Sequence, residues 1–200
     1  MCVSVWRIWY LRNSFLFDSK VPDIKSTLGW CELFLSNYNS HGRITASPEH
    51  LADFWTPPNR GSFKLNCTSI TNFRNRKTGI GLVIIDHIGF IVSSCSLFLD
   101  EGLDHITANS VAILRGLIFG KNCCLLPLYV ESDATTVVSM INSENHLHSK
   151  CGNIVKDIIG LMKDLNIPTI NLGSKGSYKP VSDQAKQALL RRKTFTWTSA

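Results

Sequence analysis

The sequence has 200 residues and a mass of 22.4 kDa, which fits one ordinary domain with roughly 50 residues to spare. Apolar residues make up 44% and charged residues 18%, which excludes wholesale disorder. The net charge is +6, and residues 1–54 carry equal numbers of basic and acidic side chains, so the whole excess lies in residues 55–200. This basic character is compatible with a polyanionic partner such as nucleic acid.

The first 54 residues are predicted to form a helical extension followed by a linker. Pro22 is tolerated in the first turn of a helix, and apolar residues recur at helical spacing after it. From residue 37 to residue 50 the composition changes to Ser, Asn, His and Gly, which is typical of a linker. The main domain is expected to span residues 55–192, with a tail at residues 193–200.

Three antiparallel strands are predicted at the start of the main domain. Apolar and polar residues alternate over residues 63–68, which indicates a strand with one buried face. Residues 81–85 are nearly all apolar and indicate a second strand, buried on both faces. A charged loop at residues 74–78 separates these two strands, and turn residues at 86–89 lead into a third strand at 90–98.

Helices and two further strands are predicted in the rest of the chain. Helical spacing of apolar residues predicts four helices, at residues 107–121, 136–141, 154–165 and 181–192. Short apolar runs predict strands at residues 125–130 and 169–172. This order predicts an α/β fold with a mixed five-stranded sheet, three antiparallel strands followed by two parallel ones, flanked by helices.

The cysteines and the apolar runs bear on the cellular compartment. The seven cysteines are odd in number and contain no CxxC pair, which argues against a disulfide framework and a zinc module. No segment reaches the roughly 18 to 20 consecutive apolar residues that span a bilayer. The apolar start of the chain also lacks the basic region of a secretory signal. We therefore expect an intracellular protein of the nucleus or cytoplasm, not secreted, with reduced thiols and no membrane partner.

Five short motifs follow one another in the main domain. They lie at residues 55–66, 79–89, 108–117, 130–138 and 179–183. They are similar, in this order, to W-x-P-P-x-x-G-x-x-K-L-N, G-x-G-x-V-I-R-D-x-x-G, A-E-A-x-A-x-x-x-G-L, V-E-S-D-S-x-x-V-V and N-x-V-A-D. Together they resemble the plant ribonuclease H type domain of non-LTR retroelements and their domesticated, reverse-transcriptase-like relatives. Residues 6–17 are similar to the W-x-I-W-x-x-R-N-x-x-x-F helix that precedes this domain in such proteins. The resemblance implies a ribonuclease H-like fold.

The resemblance also implies a reaction, the hydrolysis of the RNA strand of an RNA–DNA hybrid by paired Mg²⁺ ions. Four acidic residues of that family fall, motif by motif, on Thr68, Asn109, Asp133 and Asp183. Only the last two are acidic here, and a hydroxyl and an amide bring no charge to balance two divalent ions roughly 4 Å apart. We therefore expect a degenerate metal site, weak or absent Mg²⁺ binding by Asp133 and Asp183, and impaired hydrolysis.

Five basic residues of the main domain are expected to contact the phosphates of a nucleic acid, such as an RNA–DNA hybrid. They are Arg74, Arg76, Lys77, Lys175 and Lys179. Ordinary solvated loop charges are the alternative, and a helix-capping role stays open for Asp133 and Asp183. The expected function is a ribonuclease H-like, nucleic-acid-binding monomer without a small-molecule cofactor. A retroelement relic with no nucleic-acid role and a residually active hybrid endonuclease are the open alternatives.

Overall fold

The structure is a computed structural model that describes residues 56–143, 150–173 and 178–198. The predicted helical extension and linker at residues 1–54 lie outside the described residues. So do Trp55, the first residue of the entry motif, and Lys175, one of the basic residues expected to contact nucleic acid.

The described residues form six strands and four helices. The strands are β1 (Phe63–Asn72), β2 (Lys77–Ile85), β3 (Ile91–Leu99), β4 (Leu128–Ser132), β5 (Ile170–Leu172) and β6 (Phe195–Thr198). The helices are α1 (His105–Asn122), α2 (Thr135–Asn142), α3 (Gly152–Asp164) and α4 (Tyr178–Arg191). The predicted order of strands and helices is confirmed as far as α4, and β6 follows it.

The strands form one mixed sheet in the order β5-β4-β1-β2-β3-β6. The pairs β1–β2 and β2–β3 are antiparallel, while β4 runs parallel to β1 and β5 runs parallel to β4. This arrangement confirms the predicted mixed sheet of three antiparallel and two parallel strands. The predicted count of five strands is one short, because β6 pairs antiparallel with β3 within the segment expected to be a tail. Four largely exposed residues are too few to show a strand period.

Several element boundaries differ from the sequence-based prediction, two of them for identifiable physical reasons. The charged loop between β1 and β2 is a turn of residues 73–76, because Lys77 already pairs with Asn72 across the hairpin. Helix α4 begins at Tyr178 rather than near residue 181. Pro180 lies in the first turn of this helix, where its missing N–H would have no partner within the helix in any case.

The helices cover the two faces of the sheet. On one face, α1 packs so closely on β1 that a Cβ added at Gly116 would lie 2.8 Å from Cδ2 of Leu65. The main core lies on this face. On the other face α4 crosses β2, and Val181 joins Val83 and Ile85 in a second, smaller core. The buried β2 between the two layers confirms the prediction of a strand buried on both faces. None of the helices in the described ranges is both long and apolar enough to cross a membrane.

Candidate active site

The centre of the candidate site is a contact between β1 and the residue that follows β4. Cys67 of β1 and Ser132 of β4 are register partners in the parallel pair, so the next residues of the two segments are neighbours. The Thr68 hydroxyl donates a hydrogen bond of 2.8 Å to Oδ2 of Asp133. Thr68 is buried and Asp133 is exposed. The structure therefore brings together two of the four positions that the resemblance implies.

Asn109 reaches the site from the second turn of α1. Its Oδ1 atom accepts a hydrogen bond of 2.8 Å from the hydroxyl of Ser69, the residue after Thr68. Its amide nitrogen donates to the carbonyl of His105 at 3.0 Å and lies 3.0 Å from Nδ1 of the same histidine. The side chain is buried, and both ends of its amide have protein partners. Asn109, the third implied position, is thus linked to the neighbourhood of Thr68 by its hydrogen bond with Ser69, not by a hydrogen bond with Thr68 itself.

Asp183 lies in the first half of α4, and the path of that helix determines its position. Thr68 pairs with Gly81 across the β1–β2 hairpin, and a Cβ added at Gly81 would lie 2.8 Å from the amide nitrogen of Ala185. The first half of α4 therefore lies over the part of β2 beside Thr68. Asp183 itself is exposed and has Lys186 as its ion-pair partner, at 3.5 Å. Within the described residues, no hydrogen bond joins Asp183 to Thr68, Asn109 or Asp133.

The donor atoms of the site can be compared with the needs of Mg²⁺, which prefers several carboxylate oxygens. The described ranges contain no group of three or more His, Cys, Asp and Glu residues arranged to hold a metal ion. Cys67 adjoins the site but is buried, and its thiol donates to the carbonyl of Glu131 at 3.4 Å. Its burial, and secondarily the charge of Asp133, raises the pKa of this thiol. At neutral pH Cys67 therefore stays a thiol, and its side chain belongs to the main core.

A buried polar row continues along β1 on the face that carries Thr68. The Lys64 ammonium lies 2.6 Å from the carboxylate of Glu131 and donates to the carbonyl of Thr56 at 2.6 Å. Asn66, between Lys64 and Thr68 on this face, is fully buried, and neither polar atom of its amide has a hydrogen-bond partner. Sequence reasoning missed these contacts. The available signal was the parallel pairing of the K-L-N and V-E-S-D motifs, which places Asn66 opposite Glu131.

The basic residues expected to contact nucleic acid occupy two places in the described chain. Arg74 and Arg76 are exposed in the turn between β1 and β2. Lys77, at the start of β2, forms an ion pair with Asp100. Lys179 is exposed in the first turn of α4, one turn before Asp183. The predicted set is thus divided between a hairpin turn and a helix start.

Comparisons with known proteins identify the fold. An RNase H1 from the archaeon Halobacterium salinarum superposes with a TM-score of 0.53 at 10% identity, covering 65% of this chain and 98% of that one. An RNase H1 isolated from compost by a metagenomic approach gives 0.57 at 14% identity, with 66% and 98% covered. The same compost protein in complex with an RNA/DNA hybrid gives 0.55 at 14% identity, with 66% and 99% covered. These likenesses confirm the ribonuclease H-like fold.

The sequence comparisons concern the family rather than the fold. No curated protein matches the sequence. Residues 66–188 match the family described as reverse transcriptase-like, and this match includes all four implied site positions. Because it covers more than half of the 200 residues, the chain belongs to the reverse-transcriptase-like family.

Proposed function

We propose that this protein binds nucleic acid through a ribonuclease H-like domain whose hydrolysis of RNA–DNA hybrids is impaired by a degenerate metal site. The fold and the family support the nucleic-acid partner, since a solved protein of similar fold is in complex with an RNA/DNA hybrid. The arrangement around Thr68 supports the impairment.

The hydrogen bond between Thr68 and Asp133 is the observation that carries the proposal. A two-metal site needs carboxylate oxygens that face the cations, because the charge of two divalent ions has to be balanced within a few ångströms. Here one oxygen of Asp133 accepts a hydrogen bond of 2.8 Å from the Thr68 hydroxyl. Thr68, which stands where the resemblance implies a carboxylate, thus donates to an oxygen of the neighbouring carboxylate, Asp133. This donor set does not fit a pair of Mg²⁺ ions.

Asn109 supports the same conclusion from the other side of the site. Its carbonyl oxygen is occupied by the Ser69 hydroxyl, and its nitrogen points to the backbone oxygen of His105. A carboxylate in the place of this amide would keep the Ser69 bond but would face the His105 carbonyl oxygen, which repels it, and a glutamate is one methylene longer than the asparagine that these partners fit. Restoring an acidic residue at position 109 therefore restores charge without restoring a fully favourable geometry.

The remaining carboxylates leave a limited role for a metal ion. Asp133 and Asp183 would hold at most one weakly bound Mg²⁺, because no third carboxylate joins them in the described part of the chain. The exposed Arg74, Arg76 and Lys179 would contact phosphates. We infer from the motif order a plant retroelement origin and from the cysteine usage a protein of the nucleus or cytoplasm. We expect this protein to be a monomer.

Cleavage of a labelled RNA–DNA hybrid by the natural chain tests the enzymatic half of the proposal, in Mg²⁺ and in Mn²⁺. We expect no cleavage above background in either metal. The double variant Thr68→Asp, Asn109→Glu should recover cleavage only in part, because the partners around position 109 fit an asparagine amide. Efficient Mg²⁺-dependent cleavage by the natural chain that is abolished by Asp133→Asn would overturn the degenerate-site proposal and support a residually active endonuclease.

Metal binding can be measured without activity. A ligand that binds only the folded state raises the Tm, so Mg²⁺ should raise the Tm of the double variant more than that of the natural chain. Asp133→Asn is the matched control, because an asparagine oxygen still accepts the Thr68 hydrogen bond but carries no charge. A large Mg²⁺-dependent Tm increase in the natural chain, lost in Asp133→Asn, would contradict the proposed donor set.

Nucleic-acid binding tests the other half. We expect weak affinity of the natural chain for RNA–DNA hybrid or duplex, and this affinity should fall as salt rises because phosphate contacts release counterions. Sequence preference is not expected, since such helices are recognised largely by shape and 2′-hydroxyl contacts. Undetectable or salt-independent binding would favour a retroelement relic with no nucleic-acid role.

A further inference from the structure

Two basic segments that are far apart in the sequence meet at one end of the sheet. One is the β1–β2 turn with the first residue of β2, and the other is the last residue of α4 with the two residues that follow it. Their cations, which we call the basic end, are Arg74, Arg76, Lys77, Arg191, Arg192 and Lys193. The start of β2 pairs with the end of β3 at Thr78 and Leu99, and the Phe98 amide donates to Oγ1 of Thr194 at 3.1 Å. The same end of β3 therefore fixes both segments.

The basic end carries a large share of the charge of this protein. It contains six of the 21 Lys and Arg residues in the sequence, and the adjoining loop after β3 contains three carboxylates, Asp100, Glu101 and Asp104. The difference of three positive charges is half of the net charge of +6. Asp100 pairs with Lys77, and Asp104 caps α1 by accepting from the Thr107 amide. A concentrated positive field of this kind attracts a polyanion.

Exposed apolar side chains are interspersed with these cations. Phe73 precedes Arg74 and is 69% exposed, Phe195 follows the second segment and is 44% exposed, and Leu190 is 76% exposed. The guanidinium of Arg191 lies over the Phe195 ring, 5.5 Å from its centroid. Aromatic rings stack on unpaired bases, whereas a duplex presents phosphates and keeps the faces of its bases covered. Rings among cations therefore favour a single strand over a duplex.

We propose that the basic end binds single-stranded nucleic acid, with the phosphates on its five exposed cations and bases stacked on Phe73 and Phe195. This proposal rests on the proposed nucleic-acid-binding function and adds the form of the ligand and the surface that takes it. The surface is separate from the candidate active site. Asn72, the last residue of β1 and the neighbour of Phe73, lies four residues beyond Thr68 along the strand, about 13 Å at the rise of a strand. A single strand bound here leaves the Thr68–Asp133 contact untouched.

Fluorescence anisotropy of the full chain tests the proposal with three probes, a 12-nucleotide oligo-dT, a 12-nucleotide oligo-U and a 12-base-pair RNA–DNA hybrid. We expect both single strands to bind more tightly than the hybrid at low salt. Arg74→Glu, Lys193→Glu should lower single-strand affinity at least tenfold and reduce the slope of log affinity against log salt by about 1.4, the value for two lost phosphate contacts. Phe73→Ala should lower it about tenfold through lost stacking.

Matched variants test whether single-strand affinity depends on the basic end itself or only on the overall charge and apolarity of the protein. Arg115→Glu, Lys156→Glu makes the same change of charge on exposed positions of α1 and α3, and should change single-strand affinity less than threefold. Ile88→Ala removes an exposed apolar side chain from the β2–β3 turn, at the opposite end of the sheet, and should change it less than twofold. Thermal unfolding of each variant shows whether it is folded. Phe73→Tyr, which keeps an aromatic ring, should retain single-strand affinity if stacking on the ring is the cause.

The outcomes distinguish this proposal from the proposed function. If the hybrid binds but neither single strand does, or if the control pair Arg115→Glu, Lys156→Glu lowers single-strand affinity as much as Arg74→Glu, Lys193→Glu does, the basic end is not a single-strand site, and the proposed function stands. If no probe binds at low salt, both fail. Single-strand binding that depends on Phe73 and on the Arg74, Lys193 pair, but not on the matched controls, supports the proposal.

Discussion

Replacing Gly81 by alanine tests the close approach of α4 to β2, which positions Asp183 relative to Thr68. The added Cβ would lie 2.8 Å from the Ala185 amide nitrogen and 3.0 Å from the carbonyl carbon of Val181, and still closer to the carbonyl oxygen of Val181. These are backbone atoms and cannot rotate away. Since carbon atoms pack at about 3.5–4.0 Å, α4 has to move by on the order of 1 Å.

That displacement determines how much the Gly81→Ala substitution lowers the stability of the fold. Val181, Ala185 and Ala188 are fully buried where α4 meets the sheet, so the shift loosens a packed interface instead of an exposed one. Overpacking of this kind costs about 1–3 kcal/mol, and we expect the upper half of that range because no flexible side chain can absorb the clash. At about 2–4 °C for each kcal/mol, the Tm should fall by roughly 5 to 10 °C.

Gly160→Ala is the matched control for the same chemical change. Gly160 lies in α3, and an added Cβ there meets no atom within 4 Å. Alanine in a helix interior is more favourable than glycine by about 0.5–1 kcal/mol, so this variant should be more stable than the natural chain. Thermal unfolding and urea unfolding, both followed by circular dichroism, measure the Tm and the free energy of unfolding of the two variants. If Gly81→Ala is as stable as the natural chain, α4 does not pack on β2 as described.

Two further predictions concern a buried ion pair and a helix cap. Lys64→Ala should lower the free energy of unfolding by about 3–5 kcal/mol, because Glu131 keeps its charge in a largely buried position without a counter-charge. Lys64→Met, Glu131→Leu should lose much less in the same urea titration, and a cost below 1 kcal/mol for Lys64→Ala would show that the pair is not buried. Asp104→Ala should cost about 1 kcal/mol at pH 7 through loss of the cap on α1. Hydrogen bonds from Thr107 lower the pKa of Asp104 below its ordinary 3.8, so its stabilising effect is complete above that pH and is lost as the pH falls through the lowered folded-state pKa. The difference from the natural chain should therefore shrink in acid, and a constant difference down to pH 2 would contradict the charged-cap interpretation.

Periodicity predicted the elements whose environment is uniform along their length. The apolar run over residues 81–85 correctly indicates a strand buried between two layers. The alternation over residues 63–68 correctly indicates a strand but wrongly indicates a single buried face, because the polar residues Lys64, Asn66 and Thr68 are buried as well. Periodicity failed where a neighbour determines the structure. β6 is a strand because β3 offers it an edge, and its four residues carry little pattern of their own.

The candidate site was predictable to a similar degree. Family resemblance singled out Thr68 and Asp133, and the structure joins them directly. The bond from Ser69 to Asn109 was not predictable, because it depends on how α1 lies across a strand 40 residues earlier in the chain. The same applies to Arg191 and its neighbours, which are ordinary charges at a helix end until the pairing of β6 places them near the β1–β2 turn.

The contact between Lys64 and Thr56 determines where this domain can be cut for separate expression. A truncated fragment starting at Ser62 would retain all six strands and four helices. It would nevertheless remove the Thr56 carbonyl that accepts from the Lys64 ammonium at 2.6 Å, and so leave a buried cation with one acceptor fewer. Fragments intended for structural work should therefore begin upstream of Thr56, seven residues before the first strand.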